Sequence, residues 1–164
     1  MGKKNAIEID IMKKEDIDQV LAIEQTSFTM PWSRNLFLSE FRSPSVSMLM
    51  VATGDAPVRS VVGYIVCWLV ADEVHILNLA VDRPYRRLGI AKSLVLAALK
   101  RAHQKGAKCA FLEVRSSNTA AKKLYSDLGF TGTSVRRDYY DEPTEDALVM
   151  TLGEGAFESL IRDA

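Results

Sequence analysis

The sequence predicts an α/β protein of the α+β kind, with a mixed, mostly antiparallel seven-stranded sheet flanked by helices. Three β-rich runs, Met48–Thr53, Val58–Leu69 and Glu73–Val81, follow one another across short turns, which is the pattern of an antiparallel meander. Beyond residues 82–88 the apolar period changes from two to 3.6, and another strand follows at Lys108–Val114. A strand–helix–strand crossover makes that strand parallel to its predecessor. Two further strand-like runs, Phe130–Arg137 and Ala147–Leu152, flank an acidic loop and extend the sheet.

Each element has a local reason. Ile7–Ile11 alternates apolar and polar residues as a short strand does. Glu15–Phe28 places Ile17, Val20, Leu21, Ile23, Glu24 and Phe28 at helical spacing behind an acidic first turn, which suits the helix dipole. Pro31 interrupts, Ser33 can cap a second helix over Arg34–Phe41, and Pro44 ends that region. Gly54, Asp55 and Pro57 turn the first strand of the meander into the second, and Ala71-Asp72 turns the second into the third. The crossover helix carries Ile90, Leu94, Val95, Ala98, Leu99 and Ala102 on one face and stops at Gly106. Asn118 is placed to cap a helix running to Leu128, with Gly129 just past its end. Glu154–Asp163 is expected to form a terminal helix. The order is β-α-α-β-β-β-α-β-α-β-β, read as a single domain over 1–164 with its core from about Ile7 to Leu152.

Composition narrows the function. The 164 residues carry 21 Lys+Arg and 21 Asp+Glu, a formal net charge of zero. That balance argues against a generally basic nucleic-acid binder. The charges are nevertheless uneven. Residues 82–108 hold eight bases and one acid, leaving 13 bases and 20 acids elsewhere. A segment at +7 in a neutral chain marks a local anion site. The longest apolar run, Val61–Ala71, is too short to span a bilayer, so no membrane partner is expected. The N-terminus has no apolar stretch resembling a secretory signal, and Ala6 stands where myristoylation needs Ser or Thr. Cys67 and Cys109 have no metal-ligand spacing and read as reduced core residues, so no metal is expected and the protein is expected to be cytoplasmic.

The anion site falls at Val81-Asp82-Arg83-Pro84-Tyr85-Arg86-Arg87-Leu88-Gly89-Ile90-Ala91-Lys92, between a strand and a helix. Free backbone N–H groups and the positive end of the helix dipole converge there. Gly89 permits close approach or positive φ, Ala91 leaves the helix start unobstructed, and Arg86, Arg87 and Lys92 add charge. A diphosphate fits this arrangement. The pattern is neither GxxxxGK[ST] nor GxGxxG. A solvated basic loop is the plainer alternative.

Arg86-x-x-Gly89-x-Ala91 after Ile76-Leu77-Asn78-Leu79-Ala80-Val81 resembles the acetyl-CoA loop of the GNAT N-acetyltransferases. More narrowly, six other segments resemble the RimI-type enzymes, which acetylate the N-terminal alanine of a ribosomal protein. They are Phe28-Thr29-Met30-Pro31-Trp32-Ser33, Leu112-Glu113-Val114-Arg115, Ser117-Asn118, Leu124-Tyr125, Leu128-Gly129-Phe130 and Arg136-Arg137-Asp138-Tyr139-Tyr140. The resemblance implies that Leu79, Ala80 and Val81 pair their backbone with pantetheine and present an N–H to the acetyl oxygen. It implies that Arg86, Arg87, Leu88, Gly89, Ile90, Ala91 and Lys92 hold the pyrophosphate, and that Asn118 contacts the cofactor. Leu88 departs from relatives that place Arg there, at small cost if backbone N–H groups do most of the holding.

Acetyl transfer from a thioester to an amine needs a base for the ammonium, donors for the oxyanion and an acid for the thiolate. Glu113, on a strand between Leu112 and Val114, is the candidate base, directly or through water; otherwise it is an exposed residue paired with Arg115 on the same face. Tyr125 is a core aromatic by its spacing, and by resemblance the acid at sulfur. Glu73 and His75 are less favoured bases, and His103 reads as solvated. A Cys67 or Cys109 acetyl-enzyme lacks a partnered base, which favours direct attack in a ternary complex. By resemblance, Met30, Pro31 and Trp32 would form one wall of the peptide groove and Tyr139 and Tyr140 the other; the plainer alternatives are a tight turn with a core Trp and a β-edge aromatic pair. Asp138–Asp146 carries five acids and no bases, either as a solvated loop or as an attractor for a basic substrate tail. The expected partners are acetyl-CoA and the N-terminus of a ribosomal protein. The alternatives are a small-molecule amine acetyltransferase of the same fold and a non-catalytic acyl-CoA-binding module.

Overall fold

The computed structural model describes residues 6–54 and 58–164. Met1–Asn5, and the turn positions Asp55 and Pro57, lie outside the described residues. Seven strands form the sheet: β1 (Glu8–Ile11), β2 (Ser47–Gly54), β3 (Ser60–Val70), β4 (Glu73–Val81), β5 (Cys109–Arg115), β6 (Thr131–Tyr140) and β7 (Glu145–Leu152). Their order across the sheet is β1-β2-β3-β4-β5-β7-β6. β4 and β5 pair in parallel, in register from Glu73↔Cys109 to Ile76↔Leu112, as the crossover requires. The last residues of β4, Leu77–Val81, lie outside that register. β1 with β2, β5 with β7, and β6 with β7 are antiparallel.

The helices are α1 (Ile17–Ser27), α2 (Arg34–Phe41), α3 (Ile90–Gln104), α4 (Thr119–Asp127) and α5 (Glu154–Asp163). The expected caps are in place. Ser33 accepts from the Leu36 N–H at 3.2 Å and Asn118 from the Ala121 N–H at 3.1 Å. Gly129, at φ 97°, closes α4 with a pair of bonds, Phe130 N–H to Tyr125 O and Gly129 N–H to Ser126 O, each 3.0 Å. The Phe130 ring then packs edge-on against Tyr125 at 5.4 Å. The helix stop therefore also fixes the tyrosine.

Two boundaries differ from expectation. The helix placed at Glu15 opens as a 3₁₀ turn, Lys14–Asp16, because the buried Asp16 carboxylate accepts from the Lys13 N–H at 2.8 Å and binds the Arg59 guanidinium at 3.0 Å. The acidic loop shrinks to a turn at 141–144, since β6 runs on to Tyr140 and β7 begins at Glu145. Acidic side chains extend this hairpin: Asp146 accepts from the Asp138 N–H at 2.9 Å and pairs with Arg137 at 3.0 Å.

The chain divides into two compact units. One comprises the described residues up to Cys67 together with Asn78–Ala98; the other comprises Trp68–Leu77 with Leu99–Ala164. In the first, Val20, Phe37, Val51, Tyr64, Ile65 and Leu94 are fully buried. In the second, Val74, Leu99, Phe130, Leu152 and Phe157 are. Cys67 is a core residue as expected, but Cys109 is only partly buried at the start of β5. His103 is not simply solvated: it meets Glu158 at 3.2 Å and the Phe157 ring at 6.0 Å.

Gly63 on β3 leaves little room for a side chain beside the end of β4. A Cβ there would stand 3.1 Å from the Ala80 carbonyl oxygen and 3.3 Å from both Leu94 Cδ1 and Val81 Cγ2. Gly63→Ala is expected to lower unfolding stability by roughly 1–3 kcal/mol, the usual cost of overpacking. Urea denaturation measures it, and a midpoint equal to that of the wild type would contradict the close contact.

Candidate active site

The first unit holds the loop between β4 and α3. Asp82 takes the chain out of the sheet, its N–H donating to Val62 O at 2.8 Å and its carboxylate accepting from the Arg83 N–H at 2.9 Å. A 3₁₀ turn, Arg83–Tyr85, follows. Arg86 then folds back: its Nε donates to Val81 O at 2.8 Å and its Nη2 to Ser27 Oγ at 3.3 Å. This arginine braces the loop by gripping the end of the strand. Arg87 and Gly89 both have left-handed backbones, at φ 62° and 80°. Alternation of this kind turns successive N–H groups toward one side, as in an anion-binding nest. Ser93 N–H donates to Gly89 O at 3.0 Å, so α3 begins there. The N–H groups of Ile90, Ala91 and Lys92 thus belong to the helix start, which an α-helix leaves outside its own ladder. A Cβ on Gly89 would meet nothing within 4 Å, leaving open space over the loop. Arg87, Leu88 and Lys92 are exposed.

The same unit contains a buried polar cluster that the sequence reading did not single out. Glu24 on α1 is 1% exposed. Its Oε1 accepts from the Trp32 N–H at 2.9 Å, and its Oε2 from Asn78 Nδ2 at 2.9 Å and from the Tyr64 hydroxyl. Burial pushes its carboxyl above the ordinary value, while the bonds from Trp32 and Asn78 act the other way. The one available signal was a glutamate on the apolar stripe of an amphipathic helix. Trp32 packs against Phe37 at 5.3 Å, whereas Met30 is 55% exposed.

In the second unit, β5 alternates in burial, with Leu112 and Val114 inside and Glu113 on the half-exposed face, its side chain 29% accessible. Glu113 does not pair with Arg115. Its partner is Arg136 of β6, at 3.5 Å. Arg115 is instead committed to Glu145 at 3.4 Å, to the Pro143 and Asp141 carbonyls at 3.0 Å each, and to the Tyr140 ring at 4.4 Å. Arg136 in turn lies 5.5 Å from the Tyr139 ring, and Tyr139 meets Tyr140 edge-on at 5.0 Å. The fold therefore gathers Glu113, Tyr139 and Tyr140 around two arginines. Burial, with the neighbouring Tyr139 and Glu113, pushes the Tyr140 hydroxyl up to about 12, so it stays a neutral donor near pH 7.

Tyr125 is 5% exposed beside Phe130. Asn118 spends its side-chain oxygen on the α4 cap. Of the less favoured bases, His75 pairs with Glu73 at 3.2 Å and stacks on Phe111 at 5.5 Å. Burial raises both thiols, and the acids Glu73, Asp72 and Glu154 raise that of Cys109 further, which disfavours thiolate chemistry. No group of three His, Cys, Asp or Glu side chains gathers as a metal site among the described residues. Among the same residues, no helix is long and apolar enough to cross a membrane.

The acidic hairpin gives a pH prediction. Hydrogen bonds from Ser117, and then Arg115, hold the Glu145 carboxyl below its ordinary value of 4.5. A carboxylate with a depressed folded value stabilises the fold above its unfolded value and loses that contribution as pH falls through the folded one. Glu145→Gln should therefore flatten the fall of Tm with pH below about 4.5. Thermal melts from pH 6 to 3 check this; an unchanged acid limb would refute it.

Comparison with known proteins places this geometry. Residues 17–130, which span the loop, Glu113 and Tyr125, match the acetyltransferase (GNAT) family. The [ribosomal protein bS18]-alanine N-acetyltransferase of Escherichia coli strain K12 is 31% identical over 146 residues, covering 88% of this chain and 95% of that protein. The enzyme of the same name from Haemophilus ducreyi is 30% identical over 147 residues, covering 88% and 98%. The crystal structure of the Escherichia coli ribosomal-protein-S18-alanine N-acetyltransferase superposes with a TM-score of 0.82 at 30% identity, over 91% of this chain and 94% of that one. With most of its length matched and the same fold, the chain belongs to the GNAT acetyltransferase family.

Proposed function

We propose that this acetyltransferase is an acetyl-CoA-dependent N-terminal protein acetyltransferase acting on the α-amino group of a ribosomal protein's N-terminal alanine. The observation that supports it most is the 30–31% identity, over 88% of the chain, to enzymes named for that reaction. The match extends over 95–98% of the length of those proteins.

Acetyl-CoA, when bound, supplies the acetyl group as a thioester. The residues fit such a group: the nest at Arg87 and Gly89, the start of α3 and the open space over Gly89 suit a diphosphate. Arg86 keeps Val81 and the loop in fixed relation, while Arg87 and Lys92 supply mobile positive charge. Leu79, Ala80 and Val81 lie beyond the β4–β5 register; with the Val81 carbonyl taken by Arg86, their remaining backbone groups would pair with an extended ligand and offer an N–H to the acetyl oxygen.

Glu113 is the base for the incoming ammonium, directly or through one water. An α-amino group titrates at roughly 7.7–8.0, so a carboxylate needs only local assistance to deprotonate it near neutrality. The amine nitrogen bonds to the acetyl carbon, the carbon–sulfur bond breaks, and the Tyr125 hydroxyl gives its proton to the departing sulfur. Met30, Pro31 and Trp32, and Tyr139 with Tyr140, bind the peptide end. Asn118, whose side chain caps α4, steadies the helix that carries Tyr125 and contacts the cofactor. The chain works as one catalytic domain in the cytoplasm, without metal, nucleic acid or membrane.

Glu113→Gln and Tyr125→Phe should each lower kcat by about 10²–10⁴, the range for losing acid–base help. Wild-type turnover in both would refute the roles. Gly89→Val, which forces a β-branched residue to φ 80°, should weaken acetyl-CoA binding about tenfold or more by calorimetry, with Glu113 chemistry untouched. The assignment itself is tested with N-terminal peptides beginning Ala, Ser, Met-Glu and Met-Leu, beside lysine-containing controls. Preference for internal lysine would overturn it.

A further inference from the structure

We infer that Glu24 is a positioning residue for the peptide acceptor, its buried carboxylate clamping the Met30–Pro31–Trp32 segment to the strand residue that precedes Leu79–Val81. The inference rests on the acetyl-transfer reading above, because only that reading makes this segment a substrate wall.

A carboxylate buried on an apolar helix face is costly unless its oxygens are satisfied. Here the hydrogen-bonding partners are neutral donors: the Trp32 backbone N–H, the Asn78 amide and the Tyr64 hydroxyl. They come from three places, the α1–α2 connection, β4 and β3. Trp32 N–H lies in a stretch without regular structure, so Glu24 supplies what secondary structure does not. A second route closes the same ring through aromatic contact, Trp32 to Phe37 at 5.3 Å and Phe37 edge-on to Tyr64 at 5.8 Å. The backbone and ring of Trp32 are thus both held, two residues along from the exposed Met30. Asn78 carries the other end of the clamp and is bonded directly to Leu79.

Three features make this a positioning role. Glu24 is 1% exposed and both its oxygens are engaged, so it cannot touch a substrate amine. A neutral isostere does not reproduce the pattern without rearrangement: glutamine has one accepting oxygen, so its amide meets either the Trp32 N–H or the Asn78–Tyr64 pair, which must then reorient. Its hydrogen bonds go to the acceptor connection, β4 and β3, and among the described residues none reaches the 86–92 loop. The effect should therefore fall on peptide affinity, not on the chemical step.

The test uses the full chain with Glu24→Gln and Tyr64→Phe. Amide exchange at Trp32 is followed by NMR, with steady-state kinetics on an Ala-initiated peptide and calorimetry for acetyl-CoA. Glu24→Gln should speed Trp32 N–H exchange tenfold or more and raise peptide KM about tenfold, with kcat and acetyl-CoA Kd within twofold. Tyr64→Phe, which keeps the Trp32 bond, should raise peptide KM about threefold or less. Wild-type exchange at Trp32 in Glu24→Gln, or an unchanged peptide KM, overturns the inference. So do proportional losses in kcat, peptide KM and cofactor Kd, which would mark a merely structural glutamate. An unprotected Trp32 amide in the wild type overturns it whatever the variant's folding. If the wild type acetylates no α-amino peptide, the functional reading falls, and the exchange data still decide whether the clamp exists.

Discussion

A carboxylate shut away from water has to be given donors, and in this protein that requirement at Glu24 organises the first unit. Its oxygens collect a backbone N–H from an irregular connection, a side-chain amide from β4 and a hydroxyl from β3. Losing any one donor leaves part of a buried charge unsatisfied, which is why such networks tend to hold as wholes. The connection between α1 and α2 has no ladder of its own, so this bond and the Trp32–Phe37 contact are what give it one conformation. The loop between β4 and α3 is steadied by a related device: Arg86 spends its guanidinium on Val81 and Ser27.

The second unit handles charge differently. Of the acids beside the tyrosines, Glu145 and Asp146 are paired, whereas Asp138, Asp141 and Glu142 are exposed. Glu145 and Asp146 are consumed by Ser117, Arg115, Arg137 and the Asp138 amide. Arg136 sets a cation beside Glu113, the carboxylate proposed to receive the amine proton. Arg115 also covers the Tyr140 ring and Arg136 the Tyr139 ring, so Glu113 and the two tyrosines share their supports.

Most of the architecture was legible in the residues. Alternation, helical spacing, the caps at Ser33 and Asn118 and the stop at Gly106 act over a few residues, and each was read correctly. The loop at 86–92 was legible for the same reason, because a helix start, a glycine and a run of bases are local features. The hairpin ends were misread because polar, acidic sequence resembles a loop until its side chains are seen bonding backbone. The alternative reading of Glu113, a pair with Arg115 on the same strand, is not what the structure shows: its partner is Arg136 on β6.

What the sequence determined by itself was the class of fold, the crossover and the position of the basic loop before α3, all set by short-range periodicity and capping. What only the tertiary structure decided was which side chains meet. Glu24 joins Tyr64 across 40 positions and Asn78 across 54, and Arg115 reaches Glu145 across 30. Such pairings depend on how strands and helices stack, and no local preference of a glutamate or an arginine specifies its distant partner. The protein's long-range polar contacts were therefore the part that had to be seen.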